Sequence, residues 1–290
     1  MAPQPARLQI TIEGKAVHVL RGVHDRFWSN YEKGFWEPAT RAIFKQFIDP
    51  SSYIDIGAWI GPTLLLGCQL AKRCHGIEPD PIAYAELVEN IAANRSLTNN
   101  VKLFNVCIAP VSGEIPFGSR TQAGDSRSSL LFANAKTSWT VDGVNFQEWI
   151  ERNGVDDCNF IKIDIEGGEY SVLPTMTPYL RKHRPTLYLS LHPGFLGELE
   201  IEGLTGKLER SVLRLIHTVR ILRMLRFYRR WYDPFRTAPS LASSYLRYRT
   251  HHFLAIKSWK LFVLLLTCLN GILGNLSAVV LTDQEWDLPA

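Results

Sequence analysis

Apolar and polar positions alternate from the start of the chain. Leu8, Ile10 and Ile12 are interleaved with Gln9, Thr11 and Glu13, and Val17 and Val19 resume the rhythm after Gly14. A period of two broken by a glycine predicts a β-hairpin. An aromatic stretch follows, with Phe27, Trp28, Tyr31, Phe35 and Trp36. It reads as a loop that either covers a ligand or forms a satellite core. Glu37-Pro38 then opens a helix with Ile43, Phe44, Phe47 and Ile48 on one face.

Tyr53-Ile54-Asp55-Ile56-Gly57-Ala58-Trp59-Ile60-Gly61 predicts a short buried strand ending in a glycine turn. Pro62 opens the next helix, where its missing N–H is not needed, and the apolar run from Thr63 to Ala71 extends it. Cys74 to Glu78 predicts a second strand. Asp80 is its following N-cap, and Ile82, Ala85, Val88, Ile91 and Ala92 form a helical stripe. Val101 to Val106 reads as a third strand, Gly113 to Phe117 as a shorter one, Gly118 to Ser129 as a polar loop, and Phe146, Trp149 and Ile150 as a short helix. Ile161, Ile163 and Ile165 mark a central strand that turns at Gly167-Gly168 into a helix from Glu169 toward Tyr179. Thr186 to Leu191 is the next strand and ends at His192-Pro193-Gly194. Strands alternating with helices predict an α/β fold with a parallel sheet.

The chemistry collects at strand ends, where open α/β sheets bind ligands. Gly57 and Gly61 allow close backbone approach, and a helix start offers free N–H groups. Asp55 precedes the first glycine by two and suits a cationic ligand end better than a pyrophosphate, because like charges repel. S-adenosylmethionine has such an end. The Gly-x-Gly-x-x-Gly spacing of a nicotinamide site is missing at this turn. Glu78 stands 23 residues after Asp55, the place from which an acid reaches ribose hydroxyls. Lys162, Asp164 and Glu166 put three charges within five residues of a buried strand. They must pair with one another or with a ligand. His192 falls at the same sheet edge and is the expected general base at neutral pH.

The last third differs. Leu208, Val212, Leu215, Ile216, Val219 and Leu222 form a stripe backed by arginines from Arg210 to Arg230. Such a helix either packs on the domain or makes peripheral membrane contact. Leu261 to Leu281 carries no charge, but Asn270-Gly271 and Gly274-Asn275 interrupt it. It reads as closing strands ending at Val279-Val280-Leu281, with a membrane helix as the alternative. Three segments are expected: 1–36, 37–200 and 201–290. Five scattered cysteines without a Cys-x-x-Cys pair fit a reducing, cytoplasmic setting. The net charge of +4 does not point to nucleic acid. No residues are read as metal ligands; His251 and His252, being adjacent, would not share a helix face.

Asp55-Ile56-Gly57-Ala58, Glu78-Pro79, Ser128-Ser129-Leu130 and the run from Lys162 to Glu169 together resemble the FkbM-type methyltransferases, over about Tyr31 to His192. The resemblance implies a Rossmann-like class I fold, a seven-stranded mostly parallel sheet with helices on both faces. It implies S-adenosyl-L-methionine as donor and O-methylation of a hydroxyl on a sugar, glycolipid or natural product. Asp55, Gly57, Gly61, Glu78 and Asp164 are the expected donor-binding residues, and His192, Asp164 and Glu166 the catalytic set facing the acceptor. Trp59 fills a place where a small polar residue is common in that family and would narrow the pocket. The competing readings are a cofactor-binding protein that docks through its arginine-rich helix, and a nicotinamide-dependent oxidoreductase.

Overall fold

The computed structural model describes residues 5–196, 207–232 and 278–284, with the backbone alone at 207–212. The chain opens with an antiparallel hairpin, β1 (Arg7–Ile12) and β2 (Lys15–Leu20). Helices α1 (Asp25–Glu32) and α2 (Pro38–Phe47) lead to β3 (Ser52–Ile56), α3 (Pro62–Gly67), β4 (Arg73–Ile77), α4 (Pro81–Ala92), a single turn α5 (Arg95–Thr98) and β5 (Val101–Phe104). A small sheet follows, built from β6 (Cys107–Ala109), β7 (Gly113–Ser119), β8 (Ser128–Ser129) and β9 (Thr137–Asn145). Then come α6 (Phe146–Asn153), β10 (Cys158–Ile163), α7 (Glu169–His183), β11 (Thr186–Ser190), α8 (Pro193–Leu196), α9 (Lys207–Met224), β12 (Arg230–Tyr232) and β13 (Ala278–Thr282).

Among the described residues, seven strands form the main sheet in the order β12-β13-β11-β10-β3-β4-β5. The neighbours from β11 to β5 pair in parallel, and β13 pairs antiparallel with both β11 and β12, so the sheet is mixed. Alternate side chains point to opposite faces. Ile54, Ile56, Ile161 and Ile163 enter a core shared with buried residues of α6, α7 and α9, while Tyr53 and Phe160 enter one shared with the hairpin and α1 to α4. Two apolar faces require two covering layers, which explains why β3 is buried along its whole length and β10 at every position but Asn159, with Asp55 and Lys162 the charged exceptions among their isoleucines and aromatics.

Several expectations change. The aromatic stretch is not a loop but contains α1, which buries Trp28 and Tyr31 and packs the half-buried Phe27 ring against both of them and against Trp59. The helix after Pro62 stops at Gly67, against which the Tyr53 ring packs. The third strand breaks at Asn105, whose amide donates to the Glu78 and Pro79 carbonyls. The charged strand ends at Ile163, so Asp164 and Glu166 lie in the turn beyond it. Strand β9 and the small sheet it organises were not anticipated. Of the α9 stripe, Leu215 and Leu222 are buried and Val219 packs against the core, whereas Ile216 is exposed; Ile221, outside the stripe, is buried as well. Val279-Val280-Leu281 does close the sheet, whereas residues 261–277, His251, His252 and Cys268 lie outside the described residues. No helix among the described residues is long and apolar enough to cross a membrane.

Candidate active site

The chain enters the main sheet at β3, builds outward through β4 and β5, then returns to the other side of β3 with β10 and β11. The order therefore reverses between β3 and β10, and a crevice opens beyond their carboxyl ends. Gly57 begins the turn after β3 at φ +84°. An added Cβ there would run into the Asp164 carbonyl oxygen, so the two turns touch with no room for a side chain. The N–H groups of Gly57 and Ala58 both donate to the Ile77 carbonyl at 3.0 Å, and Asp164 N–H donates to the Ile56 carbonyl at 3.0 Å. These bonds lock three adjacent strand ends together.

Two cavities flank Trp59. The first, about 530 Å³ counted with the solvent space at its mouth, is lined by Ile77, Glu78, Ile108, Phe117 and Ser128, among others. The Glu78 carboxylate is nearly buried. Its Oε2 accepts from Trp59 N–H and its Oε1 from Asp80 N–H, both at 2.8 Å. Burial outweighs these two donors and pushes its pKa up to about 7. Asp80 caps α4 through Ile82 and Ala83, and its other oxygen accepts from Gly124 N–H at 2.7 Å and from the Ser128 hydroxyl at 3.1 Å. The Trp59 indole N–H donates to the Gly124 carbonyl at 3.0 Å. The loop before β8 is thus pinned over the cavity from both sides.

The second cavity, about 860 Å³ counted with the solvent space at its mouth, is lined by Phe27, Trp36, Glu37, Thr63, Lys162, Ser190 and His192. Gly57, Trp59, Ser126, Asp164 and Glu166 line both. Lys162 is buried beneath it. Its Nζ donates to Asp55 Oδ1 at 3.2 Å and to the Gly57 carbonyl at 3.1 Å, and lies 3.5 Å from Asp164 Oδ2. Burial works against the ammonium, but the carboxylates of Asp55, Asp164 and Glu37 prevail and raise its pKa. His192 sits among three acids. Its Nδ1 meets Glu169 Oε1 at 3.3 Å, and its Nε2 stands 3.5 Å from both Asp164 Oδ1 and Glu166 Oε2. Glu169 is fully buried and also accepts from the N–H groups of Gly167 and His192 at 2.8 and 2.7 Å.

The electrostatics revise one expectation. Burial disfavours the imidazolium, yet Glu169, Asp164 and Glu166 outweigh it and push His192 up to about 9. The ring therefore holds a proton at neutral pH and is not a free base there. Burial pushes Glu166 up to about 7, with Asp164 and Glu169 adding to it and His192 opposing. That is the range in which a carboxylate takes a proton efficiently.

The structure gathers Gly57, Glu78, Asp164, Glu166 and His192 around the two cavities. Asp55 and Gly61 line neither. Asp55 is fully buried and accepts from the Thr63 hydroxyl at 2.6 Å as well as from Lys162. Gly61, at φ +97°, is the residue before α3 and faces Leu87. Both hold the turn rather than its contents. Sequence reasoning missed Glu169, Glu37 and the second task of Asp80. An acid in a first helical turn reads as a dipole partner, and nothing local tells that Glu169 points back at a histidine 23 positions later.

A mixed sheet whose five strands from β11 to β5 run parallel, with a crossover on each face and an acid-rimmed crevice at its switch point, defines a Rossmann-like α/β protein. The methyltransferase FkbM domain matches residues 55–221, more than half of the chain, and the chain belongs to that family. It is 28% identical over 127 residues to the hexuronic acid methyltransferase AglP of Haloferax volcanii, which covers 44% of this chain and 50% of that relative. The chain thus spans about half the length of this relative. Among solved structures, it is similar to a methyltransferase FkbM from Methylobacillus flagellatus KT, with 16% identity and TM-score 0.39 over 68% of this chain and 54% of that one. It is also similar to M. jannaschii TYW2 in complex with AdoMet, with 14% identity and TM-score 0.38 over 84% and 85%.

Proposed function

We propose that the protein transfers a methyl group from S-adenosyl-L-methionine to a hydroxyl oxygen of a sugar, glycolipid or natural product. One observation carries this reading. Two cavities of different character meet at Gly57, Trp59, Asp164 and Glu166. The first joins the apolar walls of Ile77, Ile108 and Phe117 to Glu78, whose carboxylate oxygens are already fixed, which suits an adenine ring beside a ribose diol. The second is rimmed by carboxylates, a histidine and the aromatic rings of Phe27 and Trp36, which suits a hydroxylated acceptor. The relative from Haloferax volcanii, named for hexuronic acid, supports a sugar acceptor.

The donor supplies a methyl carbon already activated by its sulfonium. What remains for the chain is to align three atoms, exclude water and remove one proton. Glu78 accepts from the ribose hydroxyls. Asp164, at the join, faces the cationic end of the donor. The acceptor loses its O–H proton as the new C–O bond forms, and Glu166 stands where that proton has to go. Lys162 neutralises Asp55 and Asp164 from below and keeps the turn closed.

Labelled methyl transfer from the donor, screened over hexuronic-acid glycans, neutral glycans, lipid-linked saccharides and small hydroxylated metabolites, tests the reading. Transfer of label to an oxygen is expected. Failure of the donor to bind in calorimetry overturns it.

A further inference from the structure

We infer that Asp164, Glu166 and His192 form a divalent-cation site, and that the cation holds the acceptor oxygen. The acceptor part of this inference rests on the methyl-transfer reading; the site itself does not. One ligand atom from each of the three residues lies within 4.8 Å of the other two. Donor atoms about 2.1 Å from a shared ion stand roughly 3.0 to 4.2 Å apart, depending on the angle between them. The histidine Nε2 is 3.5 Å from each carboxylate oxygen. That is long for a hydrogen bond and right for two ligands of one ion.

The other side of the ring points the same way. Metal-bound imidazoles almost always give their second N–H to a carboxylate, which fixes the tautomer and aims the free nitrogen at the ion. Here Nδ1 faces Glu169, which is fully buried and also held by two backbone N–H groups. A group so constrained orients the ring; it does not merely neutralise it. A cation would take the place of the Nε2 proton.

An independent observation comes from Ser190. It is 8% exposed, lines the same cavity, and its hydroxyl makes no hydrogen bond among the described residues. The Ser190 oxygen opens to the cavity beside the cluster rather than being sealed in the core, so it is free to meet a water on the ion or the acceptor itself. Two carboxylates and one imidazole balance a charge of +2 and leave coordination positions open toward the cavity. Oxygen-rich sets of this kind suit Mn²⁺ or Mg²⁺. An acceptor with two neighbouring oxygens could occupy the open positions, and the ion would lower the pKa of the hydroxyl that is methylated. With the ion bound, Glu166 is a ligand and no longer the proton acceptor it is in the metal-free reading, and the hydroxyl proton leaves to solvent.

The test uses the full chain, stripped with chelator and titrated with MnCl₂ while the free-ion signal is followed by electron paramagnetic resonance. One equivalent is expected to bind. Glu166→Gln and Asp164→Asn should each weaken it at least about tenfold, and Glu169→Gln, acting through the ring, about 10- to 100-fold. The exposed Asp142→Asn should leave it unchanged. Thermal unfolding of each variant confirms that it is folded, and any variant that is not is replaced by the other carboxylate's. Absence of saturable Mn²⁺ binding, or binding that neither folded carboxylate variant weakens, overturns the site. Because the titration contains no donor, and donor calorimetry is run on the metal-free protein, failure of the site and failure of the methyl-transfer reading give different results.

Discussion

Lys162 Nζ lies 3.2 Å from Asp55 Oδ1, with both side chains buried, and the same ammonium reaches the Gly57 carbonyl. One cation therefore ties the end of β10 to the turn that opens the crevice. Removing one member of a buried pair leaves the other charge uncompensated, at about 3–5 kcal/mol. Lys162→Met should lower unfolding stability by that amount. Lys162→Met with Asp55→Asn should cost less than the sum of the two single changes. A double-mutant cycle in urea checks it, and strictly additive values would show that the pair is not coupled.

The turn is equally intolerant at Gly57. Its φ of +84° disfavours any side chain, and the Asp164 carbonyl occupies the place of a Cβ. Positive φ alone costs a non-glycine residue about 1–3 kcal/mol, and the clash adds to it. Gly57→Ala should both destabilise the protein and separate the two turns, so donor affinity falls further than stability does. Gly14→Ala, also at positive φ but with open space around its Cβ, should cost stability alone. Calorimetric donor binding on both variants separates the two effects.

Much of this was legible in the chain. A buried run, a glycine turn and a proline at the first helical position placed β3, the turn and α3. The acids at 78, 164 and 166 reached the sheet edge because each follows an apolar strand closely. What was not legible is non-local. In β9 burial does alternate from Thr137 to Gly143, but the inward positions include Thr137 and Gly143, so only Trp139 and Val141 carry an apolar signal. In α1, charged residues among the aromatics hide the helical period. The protonation of His192 depends on Glu169, Asp164 and Glu166 arriving from a different strand end, and no periodicity encodes that meeting.

Glu78 gives the donor site a pH dependence. Its pKa is raised from 4.5 to about 7, chiefly by burial. Below that value the carboxyl is mostly neutral, and a neutral acceptor binds hydroxyl donors more weakly than a charged one by about 1 kcal/mol. Donor affinity should therefore rise roughly three- to fourfold between pH 6 and pH 8. Glu78→Gln should bind more weakly than wild type at pH 8 and lose this pH-dependent part. A variant that tracks wild type across the range would remove Glu78 from donor binding.

His75 makes the opposite kind of switch, in stability rather than binding. It is 4% exposed on β4, between the rings of Phe104 and Trp149, with no partner for Nδ1. Burial lowers its pKa from 6.5 to about 4, and Lys102 and Arg73 oppose the cation further. The unfolded chain thus binds this proton at a higher pH than the folded one. The stability gained from a neutral ring is complete above pH 6.5 and is lost as pH falls toward 4, by about 3 kcal/mol in all. Glu78 works against this loss, since its raised pKa stabilises the fold as pH falls from about 7 toward 4.5. A direct comparison isolates the histidine. Between pH 7.5 and pH 4.5, wild type should lose more unfolding free energy than His75→Leu, by up to that amount, in parallel guanidinium titrations. Equal losses would mean that the ring takes up its proton without disturbing the aromatic pair around it.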